Sequence, residues 1–143
     1  MLFPKYPYLR CLLANKFIEA IKADEIGVGG MKAVEAEGQQ VIICNCQGHY
    51  YAISQRCGHM NAPLELGTLH GTILTCPMHF AQFDITTGEA LSNPVPRDFG
   101  KEVPPPRIAR FLQNIGMLMS HVKTCSIRTY ETKVECGKVL VAL

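Results

Sequence analysis

The chain has 143 residues, with 14 Lys and Arg against 12 Asp and Glu and a formal charge of +2. This length favours one domain. Hydrophobic residues make up 48% of the chain and charged residues 18%, a balance that excludes an intrinsically disordered protein. The near-neutral charge and the absence of a basic run give no reason to expect nucleic-acid binding.

The sequence contains no candidate for export or for membrane insertion. No stretch reaches the roughly 18 uncharged apolar residues of a membrane span. The first 17 residues carry Lys5, Arg10 and Lys16 and no continuous apolar segment, unlike a secretory signal. Seven cysteines in such a chain favour metal ligands or buried thiols over disulfides. We therefore expect a cytoplasmic protein.

Short apolar or alternating segments, separated by glycine-containing turns, recur along the chain and show no βαβ alternation. They predict an all-β fold built from antiparallel strands. The predicted strand segments are residues 17–21, 31–36, 40–46, 49–54, 72–75, about 124–135, and 138–142.

One segment differs from this pattern. Three consecutive prolines at 104–106 precede apolar residues at helical spacing, which predicts one amphipathic helix near 107–122. The surrounding segment, 97–123, holds five basic and two acidic residues and is cationic. We expect the apolar stripe of this helix to face the core, and the alternative is a docking surface for an acidic redox partner or a membrane.

Two short motifs carry the chemistry of the chain. Cys57-Gly58-His59 is followed, after a spacer of sixteen residues, by Cys76-Pro77-Met78-His79. Each motif presents one thiol and one imidazole, which together make a four-ligand metal site. Tetrahedral zinc accepts these ligands, although its structural sites usually space them differently. A [2Fe-2S] cluster with two histidines on one iron also needs two cysteines and two histidines.

The two motifs resemble the fingerprint of Rieske proteins, which is C-x-H, a spacer of this length, and C-x-x-H. The resemblance covers about residues 17–96 and includes Ala62-Pro63-Leu64, Leu66-Gly67, the stretch 83–88 and Asn93-Pro94. It implies one Rieske domain over 1–143 with a Rieske-like antiparallel β-sandwich. The cluster-binding subdomain would span about 55–96, and the segment 97–123, with its helix, would be an insertion.

The resemblance also implies a cofactor and a role. Cys57 and Cys76 would bind the inner iron of a [2Fe-2S] cluster, His59 and His79 would bind the exposed outer iron, and Pro94 would lie on a loop covering the cluster. The chain would carry single electrons between a reductase and an acceptor such as an oxygenase. After Pro94 only one histidine remains, so the chain lacks the two-histidine-one-carboxylate iron site of a Rieske oxygenase and is expected not to be an enzyme.

Several positions depart from respiratory Rieske proteins. Ala62 and Met78 stand where those proteins place a disulfide, and Ala81 and Phe83 stand where they place a Ser and a Tyr that donate hydrogen bonds to sulfur. Such bonds stabilise the reduced cluster, so their absence lowers the potential. We expect a midpoint near the low end of the Rieske range, about −150 mV. A redox titration giving a midpoint well above zero would contradict this.

Two more departures concern the loop backbones. Asn61 and Phe80 stand where glycine is common. Asparagine adopts positive φ readily, whereas phenylalanine does so poorly. Phe80 therefore implies that its loop has a different backbone, that its ring covers the outer iron, or that it presents an aromatic contact to a partner.

Two other functions are compatible with this sequence. A non-catalytic subunit resembling the small subunit of assimilatory nitrite reductase would have this fold, but such subunits usually lack the ligands. A zinc-stabilised interaction module would bind its partner through the helix of residues 107–122. Metal analysis separates them, because zinc without iron or acid-labile sulfide would favour the module.

The remaining cysteines and histidines are expected to be structural or solvent-exposed. Cys44 and Cys46 lie two apart on a predicted strand and point to one face, where two buried thiols are more common than a second metal site. His70 is expected in a solvent-exposed turn between the two motifs. The cysteines expected to be structural are Cys11, Cys125 and Cys136.

Overall fold

A computed structural model describes residues 16–94 and 105–143, and within these ranges the chain forms ten strands and one α-helix. Cys11 and residues 97–104 of the predicted insertion lie outside the described residues. The elements are β1 Phe17–Lys22, β2 Met31–Ala36, β3 Gln39–Cys46, β4 His49–Ser54, β5 Thr68–His70, β6 Ile73–Thr75, β7 Gln82–Asp84, α1 Pro106–Ser120, β8 Thr129–Tyr130, β9 Thr132–Glu135 and β10 Lys138–Ala142.

The strands form three antiparallel sheets, which confirms the predicted fold class. One sheet has the order β1-β10-β9, the second β2-β3-β4-β8 and the third β5-β6-β7. Three hairpins of the first two sheets turn through pairs of residues with positive φ, namely Glu37-Gly38, Gln47-Gly48 and Cys136-Gly137. These are the two-residue turns whose twist matches that of antiparallel strands.

Strand β3 is the central layer of the molecule because both of its faces are buried. Val41 and Ile43 pack with Val139 and Val141 of β10 on one side. Ile42 and Cys44, on the other side, belong to a second core together with residues of the third sheet. A strand buried on both faces is apolar without interruption, as residues 41–44 are. This second core supports the two loops that carry the Cys-His motifs.

The third sheet was only partly predicted. The sequence indicated one strand at 72–75, whereas three strands of three residues each are present. Strands this short have too few residues to show a two-residue period. His70 ends β5 instead of lying in the turn, although its side chain is exposed as expected.

The predicted strand at 124–135 begins later than expected. Strand pairing starts at Thr129, and residues 125–127 form hydrogen bonds with the loops at Gly58 and Gly88 instead. The Cys125 N–H donates to the Gly58 carbonyl at 2.9 Å, and the Ile127 N–H donates to the Gly88 carbonyl at 2.8 Å. Residues 125–127, which follow α1 in the chain, are therefore hydrogen-bonded to the loop of the first Cys-His motif.

The helix is present, but the expected burial of its apolar stripe is wrong. Helix α1 spans Pro106–Ser120, close to the predicted 107–122. Its apolar side chains at Ile108, Phe111 and Leu118 are exposed, so they do not face the core. The two hydrophobic cores contain no residue of the helix among the described residues. The described helix is also too short to cross a membrane.

Candidate metal centre

The two Cys-His motifs lie on loops with the same backbone structure. In the first loop, residues 57–62, the Cys57 N–H donates to the Ala62 carbonyl at 2.9 Å and the Asn61 N–H donates to the Cys57 carbonyl at 3.0 Å. In the second loop, residues 76–81, the corresponding bonds are Cys76 N–H to Ala81 carbonyl at 2.8 Å and Phe80 N–H to Cys76 carbonyl at 3.2 Å. Each loop thus closes on its own cysteine and ends in a buried alanine.

The fourth residue after each cysteine adopts the left-handed conformation, with φ of 59° at Asn61 and 61° at Phe80. The backbone of the second loop is therefore the same as that of the first, which excludes the alternative that Phe80 forces a different loop. Between the cysteine and the left-handed residue, the tip of each loop carries one histidine and one methionine, and their order in the second loop is the reverse of that in the first. The tips read His59-Met60 and Met78-His79.

The two cysteines lie at the bottom of the site. Cys57 and Cys76 are both buried and belong to the core that β3 shares with the third sheet. Burial raises the pKa of the Cys57 thiol, the neighbouring Cys76 thiol raises it further, and the His59 N–H opposes the shift. That N–H donates to Cys57 Sγ at 3.4 Å. Removing thiol protons in an apolar site is favoured when a cation binds the sulfur.

The two imidazoles lie together, with His59 buried and His79 partly exposed. The rings of His59 and His79 meet edge to face, with centroids 5.4 Å apart. Burial lowers the pKa of His79, and the neighbouring His59 lowers it further. A lowered pKa favours the neutral imidazole, which is the form that binds metals. His59 is 8% exposed, and its buried Nε2 atom has no hydrogen-bond partner in the described part of the chain.

These donors suit a cluster with two unlike metal positions. The two thiols are buried and neighbour each other, and the two imidazoles are in ring contact, with His59 buried and His79 partly exposed. The sulfur donors and the nitrogen donors are therefore grouped separately. Among residues 16–94 and 105–143, no group of three or more His, Cys, Asp or Glu side chains is arranged to hold a single metal ion. The unpartnered Nε2 of His59 and the raised thiol pKa of Cys57 fit donors that a metal group would satisfy.

Gly58 is a site residue whose structural role the sequence analysis missed. A Cβ atom at Gly58 would overlap with the backbone carbonyl of Cys125. The first loop therefore lies directly against residues 125–127, and only glycine fits between them. The visible signal was the glycine between Cys57 and His59, but Cys125, which packs on it, lies 67 positions away in sequence.

The other predicted positions lie as follows. Ala62 is buried, whereas Met78 is exposed. Ala81 and Phe83, the positions without a hydroxyl, are fully buried in the core around Cys57 and Cys76. Pro94 is partly buried and follows Ser92, whose Oγ accepts from the Gln82 N–H at 3.2 Å.

The cysteines outside the motifs differ in burial. Cys44 is fully buried and its pKa is raised to about 12 by burial and by Cys46. Cys46 packs on the same core, so the two thiols are part of the core as expected. Cys125 and Cys136 are exposed, Cys136 at a hairpin turn, and all cysteines of the described residues are free thiols.

The chain is similar to known ferredoxins over most of its length. Residues 16–115 match the family model described as the Rieske [2Fe-2S] domain. The chain is 35% identical over 128 residues to the ferredoxin component of the naphthalene 1,2-dioxygenase system of Pseudomonas putida, an alignment covering 90% of this chain and 96% of that protein.

Solved structures show the same likeness. The structure of Sphingomonas yanoikuyae B1 ferredoxin matches with a TM-score of 0.63 and 25% identity, covering 90% of this chain and 99% of that one. The ferredoxin of carbazole 1,9a-dioxygenase from Nocardioides aromaticivorans IC177 matches in fold with a TM-score of 0.62 at 23% identity, covering 89% and 97%.

Proposed function

Because the chain belongs to the Rieske [2Fe-2S] domain family, we propose that its two twin loops hold the cluster. Cys57 and Cys76 bind the inner iron, and His59 and His79 bind the outer iron. The observation that carries this proposal is the separate grouping of the donors, with the two buried thiols side by side in the core and the two imidazoles in ring contact, His79 being partly exposed.

The cluster supplies reversible uptake of one electron when it is bound. The chain contributes the ligands and the surroundings. The core around Cys57 and Cys76 excludes water from the two thiols, and His79 is the partly exposed member of the imidazole pair. Pro94, which follows β7 in the chain, is proposed to lie on a loop that covers the cluster.

The proposed function is that of an electron carrier between a reductase and an oxygenase. The support is a relative that the alignment with this chain covers over 96% of its length. That relative is the ferredoxin component of a dioxygenase system. The chain acts as a component of an oxidoreductase system and not as the catalyst. A cytoplasmic location belongs to the same proposal and is supported by the free thiols throughout the described residues.

Stopped-flow reduction of oxygenases tests this function. The reduced protein is mixed with the oxygenase components of the naphthalene, biphenyl and 2,4-dinitrotoluene dioxygenase systems, whose ferredoxins are relatives of this chain. We expect oxidation of the protein at a rate that rises with the concentration of at least one oxygenase. Failure with all three would contradict the proposed function.

We also propose a domain organisation for the chain. We take residues 1–143 as one Rieske domain, with the cluster-binding subdomain at about 55–96 and the segment 97–123 as an insertion. This division is supported by the hydrogen bonds that residues 125–127, just after the insertion, form with the Gly58 and Gly88 carbonyls.

Helix α1 is proposed to dock an acidic redox partner. Arg107 and Arg110 are exposed, and the helix Pro106–Ser120 carries no acidic residue. The variant Arg107→Glu is expected to slow electron transfer to the oxygenase several-fold at low salt and to leave it nearly unchanged at high salt, because exposed charges are screened. The measurement is the stopped-flow rate against ionic strength.

The matched control for this prediction is Lys22→Glu, which makes the same charge change on β1 in the sheet remote from the site. Equal effects of the two variants would show that only net charge matters. An unchanged salt dependence in Arg107→Glu would show that the helix takes no part in docking.

A further inference from the structure

One buried hydroxyl beside the first loop has no hydrogen-bond partner. The Oγ1 atom of Thr124 is shielded from solvent, and no donor or acceptor of the described part of the chain bonds to it. Lys123 and Cys125, on either side, are exposed, whereas Thr124 is half-buried, so its side chain is the one of the three that is turned toward the protein. Buried hydroxyls usually have a partner, because leaving one unpaired is unfavourable.

The backbone next to Thr124 is fixed against the first Cys-His motif. The following residue, Cys125, donates its N–H to the Gly58 carbonyl at 2.9 Å. The Cys125 carbonyl lies so close to Gly58 that a Cβ atom there would overlap with it. Because Gly58 stands between Cys57 and His59, Thr124 is only one residue away from a direct backbone contact with the motif that carries two proposed iron ligands.

The other hydroxyl of this segment does have a partner. Ser126 is exposed, and its Oγ accepts a hydrogen bond from the Ala90 N–H at 3.3 Å. The Thr124 hydroxyl needs a partner more, since a buried atom cannot use solvent water instead. Another buried polar atom without a partner is Nε2 of His59, the residue after Gly58. Unpaired polar atoms thus occur on both chain segments that meet at Gly58, which fits a polar group bound beside them.

We propose that the Thr124 hydroxyl donates a hydrogen bond to a sulfur of the [2Fe-2S] cluster and so raises the midpoint potential. The proposal rests on the proposed function and adds a residue that tunes the bound cluster. A donor at sulfur stabilises the reduced cluster more than the oxidised one, because reduction adds negative charge. Ala81 and Phe83 carry no hydroxyl, and Thr124 supplies one from the segment that follows α1.

The test replaces Thr124 by valine, which keeps the branched shape and removes the hydroxyl. In Thr124→Val the equilibrium with a mediator dye of known potential is expected to shift about tenfold toward the oxidised protein, which corresponds to a midpoint lower by about 59 mV. Thr124→Ala, a second variant without the hydroxyl, should show the same fall. Thr124→Ser keeps the hydroxyl and should hold the wild-type potential. Each protein is titrated anaerobically at one pH, after its iron content and visible spectrum have been checked.

Thr132→Val is the matched control. The Thr132 hydroxyl donates to the Tyr50 carbonyl at 2.6 Å, and Thr132 lies on β9, in a sheet that carries neither Cys-His loop. This variant loses a hydroxyl that is paired within the chain, so it should be less stable than the wild type but keep its potential.

A wild-type potential in Thr124→Val would overturn the proposal. So would an equal fall in Thr124→Ser, which would assign the effect to the packing of the methyl group. Failure of both Thr124→Val and Thr124→Ala to hold the cluster would also overturn it, because Thr124 would then be a structural residue. A wild-type protein that holds no [2Fe-2S] cluster would instead refute the proposed function itself.

Discussion

Replacing Cys57 or Cys76 by alanine should give a colourless protein that contains neither iron nor acid-labile sulfide. Each cysteine is the only thiol of its loop, and both are buried. Loss of either cysteine would leave the proposed inner iron with a single cysteine ligand from the chain. Iron and sulfide analysis together with visible absorption measures the effect.

Cys44→Ala is the control for these variants. Cys44 is fully buried in the same core as Cys57 and Cys76, so it reports the effect of losing a buried sulfur that binds no metal. We expect this variant to keep the full complement of iron and sulfide and to lose about 1 kcal/mol of stability. Retention of a Rieske-type spectrum in Cys57→Ala or Cys76→Ala would refute the ligand assignment.

Gly58→Ala should destabilise the first loop and release the cluster on mild heating. The added methyl group would overlap with the carbonyl of Cys125, whose N–H donates to the Gly58 carbonyl at 2.9 Å. Backbone cannot move aside as a flexible side chain does, so the first loop and the segment 125–127 must separate. We expect the free energy of unfolding to fall by at least about 2 kcal/mol, measured by denaturant titration of the cluster absorbance.

Gly27→Ala serves as the control for this change. No atom lies within 4 Å of a Cβ placed at Gly27, and its φ is not positive. Its stability should stay within about 0.5 kcal/mol of the wild type. If Gly58→Ala were as stable as Gly27→Ala, then residues 125–127 would not pack on the first loop as described.

The parts of the fold that sequence predicts well are those with strong local patterns. The hairpins of the first two sheets follow from alternating segments joined by residue-glycine pairs such as Gln47-Gly48. The all-apolar stretch 41–44 marks β3 as a buried strand. The spacing of Cys57, His59, Cys76 and His79 carries the ligand prediction, because two mixed Cys-His pairs seldom occur together without a metal.

What sequence missed depends on contacts between distant residues. Residues 125–127 look like the start of a strand, yet they bond to the loops at Gly58 and Gly88, which no local pattern reveals. The apolar stripe of α1 has the spacing of a core-facing helix, and only the three-dimensional structure shows that Phe111 and Leu118 are exposed. The left-handed backbone at Phe80 is set by the closure of its loop onto Cys76, which overrides the local preference of phenylalanine.

Visible absorption and low-temperature EPR of the protein, as isolated and after dithionite reduction, test the central claim most directly when iron and sulfide are counted on the same sample. We expect a red protein with two irons and two sulfides per chain and the low average g value of a cluster with mixed histidine and cysteine ligands. A colourless protein that holds zinc, or that takes up no iron even after anaerobic reconstitution, would contradict the claim that the twin loops hold a [2Fe-2S] cluster.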